Sequence, residues 1–160
     1  MNHAPTKHST AREAPHRDQM REAFRREGLR CTRQREAVYG VLMASHAHPT
    51  AEEVFLAVRS ADAGISLATV YNTLETLVEK GLCRRLPNAA GSGPARYDAD
   101  TSDHVHLATP DGKLLDIPED LSEEILDRLG DDLVTEIERR TGIRVGRMSV
   151  QLVADRRDED

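Results

Sequence analysis

The sequence predicts an α+β fold, with an N-terminal winged helix-turn-helix domain followed by a small α/β domain. Three observations predict it: segments of helical apolar spacing joined by short turns in the first half, a Gly- and Pro-rich loop between two β candidates after them, and mixed strand and helix patterning in the second half. We place the bounds at 1–17 for an N-terminal tail, 18–98 for the first domain, 99–103 for a linker and 104–160 for the second domain.

The first three helices are marked by apolar spacing and capping residues. Apolar residues among charged ones predict a helix over residues 19–31, and Thr32 is an N-cap type ahead of a second helix that runs to about residue 45. Thr50 and Glu53 fit the capping box S/T-x-x-E. A third helix is therefore predicted from there to about residue 61.

The fourth helix is predicted to begin at Ser66 and to end near Gly81. Positions 67, 70, 74, 77 and 78 form an apolar face, while small or hydrogen-bonding side chains project elsewhere: Ala68, Thr69, Tyr71, Asn72 and Glu75. Such a set suits close approach to base edges and phosphates, as a recognition helix requires. Periodicity alone leaves an ordinary amphipathic surface helix open.

Two hairpins are predicted after this helix. The first is a wing formed by residues 82–86 and 95–98, and the second joins residues 104–108 and 113–117 through a Pro-Asp-Gly turn. Helical spacing over residues 121–140, with a break at Gly130, and alternation over residues 143–153 then predict a helical segment and a last strand.

Charge is divided unevenly along the chain, whose net charge is −6. Residues 1–87 carry 13 Lys+Arg and 10 Asp+Glu, whereas residues 88–160 carry 9 and 18. A phosphate-binding surface is therefore expected in the first half. No apolar run is long enough to span a bilayer or act as a secretory signal, so we expect a cytoplasmic protein without a membrane partner.

A metal-binding pattern lies in the second half. His104 and His106 occupy alternate positions of a predicted strand and so project from one face, and Asp98 and Asp116 could add carboxylate oxygens. A mixed set of nitrogen and oxygen donors suits Fe(II), Mn(II) or Zn(II). The local pattern alone leaves open a surface or packing role for the two histidines.

Three segments, at residues 29–35, 48–54 and 66–74, closely resemble in order and spacing the winged-helix domain of ferric uptake regulators. This resemblance implies a metal-dependent repressor that binds double-stranded operator DNA as a homodimer. By position in the matched segments, it assigns DNA contact to Arg33, Arg35, Thr69, Tyr71 and Asn72. Asn72 stands where many members carry Arg, which is more similar to the peroxide-sensing branch.

The resemblance also adds His48 to the metal ligands and completes the regulatory site of the peroxide-sensing branch: His48, Asp98, His104, His106 and Asp116. It implies one regulatory Fe(II) or Mn(II) ion per chain, with Zn(II) possible, and oxidation of His48 or His104 by peroxide in the iron form. An ion held by both domains would fix their angle and thus the separation of the two recognition helices in a dimer.

The chain departs from the family at its cysteines. Cys31 and Cys83 are far apart and form no Cys-x-x-Cys pair, so we expect no structural zinc of the four-cysteine type and a packing role for Cys83. No further metal site is expected at Met148. Dimerisation would then rest on strand pairing and on apolar helix positions, namely Leu121, Ile125, Leu129, Leu133 and Ile137.

Three alternatives remain beside a peroxide-sensing repressor. One is an iron- or zinc-uptake regulator of the same family that ignores peroxide. Another is a non-haem metal enzyme, which we do not expect because no nucleophile motif or cofactor fingerprint is found. The third is a winged-helix protein that mediates only protein contacts.

Overall fold

The computed structural model describes residues 17–86 and 93–155, and its secondary structure alternates helices and short strands. In chain order the elements are α1 Arg17–Arg26, α2 Arg33–Ala44, α3 Ala51–Arg59, α4 Leu67–Glu79, β1 Arg84–Leu86, β2 Arg96–Asp98, β3 Val105–Ala108, β4 Leu114–Asp116, α5 Glu119–Leu129, α6 Asp131–Thr141 and β5 Val150–Val153. Within this part of the chain, no helix has the length and apolarity needed to cross a membrane.

Side-chain caps start α2, α3 and α4 where the sequence predicts them. The Thr32 hydroxyl accepts from the Arg35 N–H, and the Ser66 hydroxyl accepts from the Thr69 N–H at 3.1 Å. At Thr50 the capping box is complete, because its backbone N–H also donates to the Glu53 carboxylate at 2.8 Å. Each cap satisfies backbone donors that a helix start leaves without partners.

The first helix ends earlier than predicted, at Arg26 rather than residue 31. Gly28 adopts a left-handed φ of 65°, and the Leu29 N–H donates to the Phe24 carbonyl at 2.7 Å. This 6→1 bond is the Schellman motif, which closes a helix at a left-handed glycine. Gly28 is therefore the end signal that apolar spacing alone does not reveal.

The core of the winged-helix domain joins its four helices to β2. Phe24 packs on Tyr39 with ring centroids 5.4 Å apart, and Val70, Leu74 and Leu77 place the inner face of α4 in the same core. Tyr97 of β2 is buried there too. The fourth helix thus presents one face to the core and leaves the opposite face exposed, as its periodicity predicts.

Two sheets follow the helices. β1 and β2 pair antiparallel as the predicted wing, and the second sheet has the order β4-β3-β5. The predicted tail at residues 1–17 lies outside the described residues except for Arg17, which is already part of α1. Most of the wing loop at residues 87–94 also lies outside them.

The last strand is shorter than predicted, because only Val150–Val153 pairs with β3, in parallel. The Val145 N–H instead donates to the Glu138 carboxylate at 2.7 Å, which ties the preceding segment to α6. The break at Gly130 is confirmed, since α5 and α6 meet there at a φ of 57°. The alternating pattern thus predicts too long a strand. The Glu138 side chain on α6 accepts the backbone N–H of Val145, which the pattern assigns to the strand.

The two cysteines differ in exposure. Cys31 is exposed, whereas Cys83 is buried against α4 in the core of the winged-helix domain. Burial raises the pKa of the Cys83 thiol to about 12. Because the thiolate is the reactive form, this environment makes Cys83 inert and agrees with a packing role.

We expect iodoacetamide at pH 8 to modify the native protein at Cys31 and to leave Cys83 intact until denaturant is added. Peptide mass spectrometry measures this, and a Cys31→Ser variant should take up no label before unfolding. Rapid labelling of Cys83 in the folded protein would show that the thiol is accessible and contradict the buried position.

Candidate metal centre

The five residues that the sequence singles out as ligands lie together in the structure. His48, Asp98, His104, His106 and Asp116 each offer one nitrogen or oxygen atom, and these atoms lie within 4.8 Å of one another. The winged-helix domain supplies the first two and the hairpin of the second sheet supplies the other three. The cluster therefore joins two structural units through side chains far apart in sequence.

Strand geometry explains the hairpin's share of the cluster. His106 on β3 is paired directly with Asp116 on β4. His104 precedes His106 by two residues and so projects from the same face of the chain. Asp98 is the last residue of β2, at the end of the strand that carries the wing back toward the second sheet.

His48 has an unusual backbone. It lies in the connection between α2 and α3 with a φ of 44°, and it is the one non-glycine residue with a positive φ in the described ranges. Its side chain is 1% exposed. A left-handed conformation costs free energy for a residue with a Cβ, so the surrounding structure must hold it, and such strain is concentrated at functional sites.

The imidazoles surround the two carboxylates. The Nε2 atom of His48 is 2.7 Å from Asp116 Oδ1, and its Nδ1 atom is 3.5 Å from Asp98 Oδ1. The Nε2 atom of His104 is 3.1 Å from Asp98 Oδ2 and 3.2 Å from Asp116 Oδ1. For His106 Nε2 the corresponding distances are 3.5 and 3.6 Å. The donor atoms thus face one shared space.

These contacts shift the protonation of the cluster. Burial opposes ionisation of Asp98 and Asp116, but hydrogen bonds from the imidazoles outweigh it and hold both carboxyl pKa values well below their usual range. Burial likewise opposes charge on His48, yet hydrogen bonds to Asp116 and Asp98 raise its pKa to about 9. Hydrogen bonds to the same carboxylates raise the pKa of His104 to about 10. Negative oxygens and displaceable protons therefore share one buried space.

The donor set fits a divalent metal ion. Four buried atoms of the cluster face oppositely charged partners in the cluster without a well-aligned hydrogen bond: His48 Nδ1, Asp98 Oδ2, His104 Nε2 and His106 Nε2. The Nδ1–H of His104 donates to the Ser102 carbonyl at 2.9 Å, which leaves its Nε2 facing the carboxylates. Metal-binding histidines are commonly oriented in this way by a second hydrogen bond. Imidazole and carboxylate donors together suit Fe(II), Mn(II) or Zn(II).

A cavity of about 330 Å³ adjoins the cluster at His104 and Asp116. Acidic side chains also line it, namely Asp100, Asp103, Glu119 and Glu123. Asp116 is 24% exposed and His104 12% exposed, whereas the other three members are almost completely buried. The cluster therefore opens to solvent on the side of these two residues.

The five predicted DNA-contact residues lie near the start of α2 and on α4. Arg35, Thr69 and Asn72 line one groove between these helices, of about 460 Å³. Arg33 and Tyr71 do not line it; Tyr71 is partly exposed, and its hydroxyl donates to Glu52 at 2.7 Å. The groove is also lined by Arg30 and Gln34, which were not predicted although they stand beside the predicted arginines in the sequence.

Comparisons with known proteins agree with this architecture. A family model described as the ferric uptake regulator family matches residues 26–141. The peroxide-responsive repressor PerR of Staphylococcus saprophyticus is 38% identical over 95 residues, which span 59% of this chain and 63% of that protein. The match thus covers less than two thirds of the length of this curated relative.

Solved structures extend the likeness over both domains. The ferric uptake regulator of Pseudomonas aeruginosa with manganese is 27% identical, covers 86% of this chain and 98% of its own, and superposes with a TM-score of 0.64. A zinc-bound manganese uptake regulator is 26% identical, covers 84% and 96%, and gives a TM-score of 0.62. Because the family model spans most of the chain, this protein belongs to the ferric uptake regulator family, whose members are metal-responsive regulators.

Proposed function

We propose that this chain is a transcriptional repressor that binds operator DNA as a homodimer when one divalent ion per chain occupies the five-residue cluster. The observation that supports the proposal most is the convergence of His48 and Asp98 with His104, His106 and Asp116, with buried donor atoms that have no other partner. Fe(II) and Mn(II) are the proposed ions, and Zn(II) also suits the donors.

The cluster is suited to couple ion binding to the angle between the two domains. Ligands from both domains would share one ion, which supplies positive charge to two buried carboxylates and takes the place of imidazole protons. The angle between the domains then depends on occupancy. In a dimer that angle sets the distance between two recognition helices, which must match half-sites in successive major grooves. Coordination free energy thereby becomes differential DNA affinity, as allostery requires.

The proposed DNA surface combines cationic and hydrogen-bonding groups. Arg33 and Arg35 at the start of α2 would contact phosphates, while Thr69, Tyr71 and Asn72 on α4 would approach the bases. The acidic second domain is separate from this surface. Exposed apolar side chains on its helices support its proposed role in dimerisation: Leu121, Leu133 and Ile137.

Peroxide sensing is the finer part of the proposal. The curated relatives that the chain matches are peroxide-responsive repressors, and Asn72 with Asp116 resembles that branch of the family. A bound Fe(II) would promote cleavage of the peroxide O–O bond, so that one oxygen adds to a ring carbon of His48 or His104 and the other leaves as water. His104 lines the open cavity, so peroxide can reach it. Loss of an imidazole donor would weaken metal binding between the two domains and release DNA.

We expect a His106→Gln variant to lose metal-dependent DNA binding by about tenfold or more, because a buried donor to the proposed ion is removed. His46→Gln is the matched control, since His46 is a histidine near His48 but outside the cluster. Fluorescence anisotropy with a duplex selected from a random library by the manganese-loaded protein measures the effect. Equal manganese dependence in both variants would contradict the regulatory role of the cluster.

Metal affinity is expected to rise with pH. Because the pKa values of His48 and His104 are about 9 and about 10 without metal, both imidazoles hold protons at pH 7 that an ion must displace. Each proton released changes the affinity by about tenfold per pH unit, so Mn(II) should bind about 10- to 100-fold more tightly at pH 8 than at pH 7. Anaerobic calorimetry in buffers of different ionisation enthalpy counts the protons. A flat affinity without proton release would refute this expectation.

Brief exposure to hydrogen peroxide should release the iron-loaded protein from DNA and leave the manganese-loaded protein bound. Peptide mass spectrometry should find one added oxygen on the peptide containing His48 or His104 in the iron form alone. If both forms keep DNA equally, the metal-uptake regulator of the same family becomes the better account.

A further inference from the structure

Arg96 lies at the junction of the two domains. It is the first residue of β2, and its side chain is 14% exposed. The Nη1 atom donates to the His48 carbonyl at 3.0 Å, and Nε donates to the Gly112 carbonyl at 3.1 Å. His48 belongs to the winged-helix domain and Gly112 to the β3–β4 turn. One guanidinium therefore bonds to backbone on both sides of the metal cluster.

The same side chain fixes the strained segment around His48. Arg96 Nη1 is 3.3 Å from the Glu53 carboxylate, whose Oε2 also accepts from the Thr50 N–H at 2.8 Å. The next residue of β2, Tyr97, donates its N–H to the Pro49 carbonyl at 3.0 Å. The left-handed peptide of His48 is thus held at its own carbonyl and at the two residues that follow.

We propose that Arg96 is a positioning residue for the metal centre, a role that rests on the proposed function of the cluster. It holds His48 in the conformation that directs its imidazole toward Asp98 and Asp116, and it links that segment to the hairpin that carries His106 and Asp116. The arrangement that brings the ligands of both domains together is therefore partly formed before an ion binds. This lowers the free energy needed to order the ligands on binding.

The guanidinium geometry explains why arginine occupies this position. Its Nε and Nη1 point to different acceptors from one rigid plane, so the carbonyls of His48 and Gly112 are bonded at once. A lysine ammonium is a point charge on a flexible stem, so it cannot donate to both carbonyls in one fixed geometry. Arg96→Lys therefore keeps the charge and removes the positioning.

The experiment measures Mn(II) affinity and the visible spectrum of the Co(II)-loaded 160-residue chain for Arg96→Gln, Arg96→Lys and Arg128→Gln. Arg128 is the matched control, since it is an exposed arginine that pairs with Glu124 on α5. We expect both Arg96 variants to bind Mn(II) about tenfold more weakly, in the range typical of losing hydrogen bonds that orient metal ligands. Arg128→Gln should match the unaltered protein.

The Co(II) spectrum separates positioning from a general loss of stability. If Arg96 acts through His48, the Co(II) spectra of its variants should shift toward that of His48→Asn, which removes the imidazole but tolerates the left-handed backbone. Affinity and spectrum equal to those of the unaltered protein would overturn the proposal, and so would weaker affinity with an unaltered spectrum. Should Arg96→Gln fail to fold, Arg96→Lys carries the test. Failure of the unaltered protein to bind either ion would instead refute the proposed function.

Discussion

Two carboxylates buried among three imidazoles impose the main electrostatic constraint on this molecule. A charge removed from water is costly unless it is matched, and removal of one partner leaves the others uncompensated. Asp98 and Asp116 come from different sheets, and each is matched by imidazoles. The winged-helix domain and the second sheet therefore keep their relative position as long as protons or an ion balance the charge of the two carboxylates.

Local chemistry made much of the fold predictable. Thr32, Thr50 and Ser66 each satisfy backbone donors within three residues, so sequence spacing alone identifies the helix starts. The predicted end of α1 is too late because apolar spacing continues to Leu29, whereas the left-handed turn at Gly28 ends the helix. The last strand was overestimated because the bond from Val145 to Glu138 is a tertiary contact that alternation cannot reveal.

The site divides in the same way. His104, His106 and Asp116 follow from strand periodicity and a hairpin turn, which are local features. Only the family resemblance identifies His48, because its contact with Asp116 spans 68 positions of sequence. Arg96 is not identified by the sequence, since three of its acceptors are backbone carbonyls, which every residue type has in common.

The uneven burial of the cluster has a kinetic consequence. His104 and Asp116 border the acidic cavity, while His48, Asp98 and His106 lie behind them. An ion among these side chains can reach solvent past His104 and Asp116 while the bonds of Arg96 to both domains stay intact. Exchange of one ion for another then does not require the domains to separate.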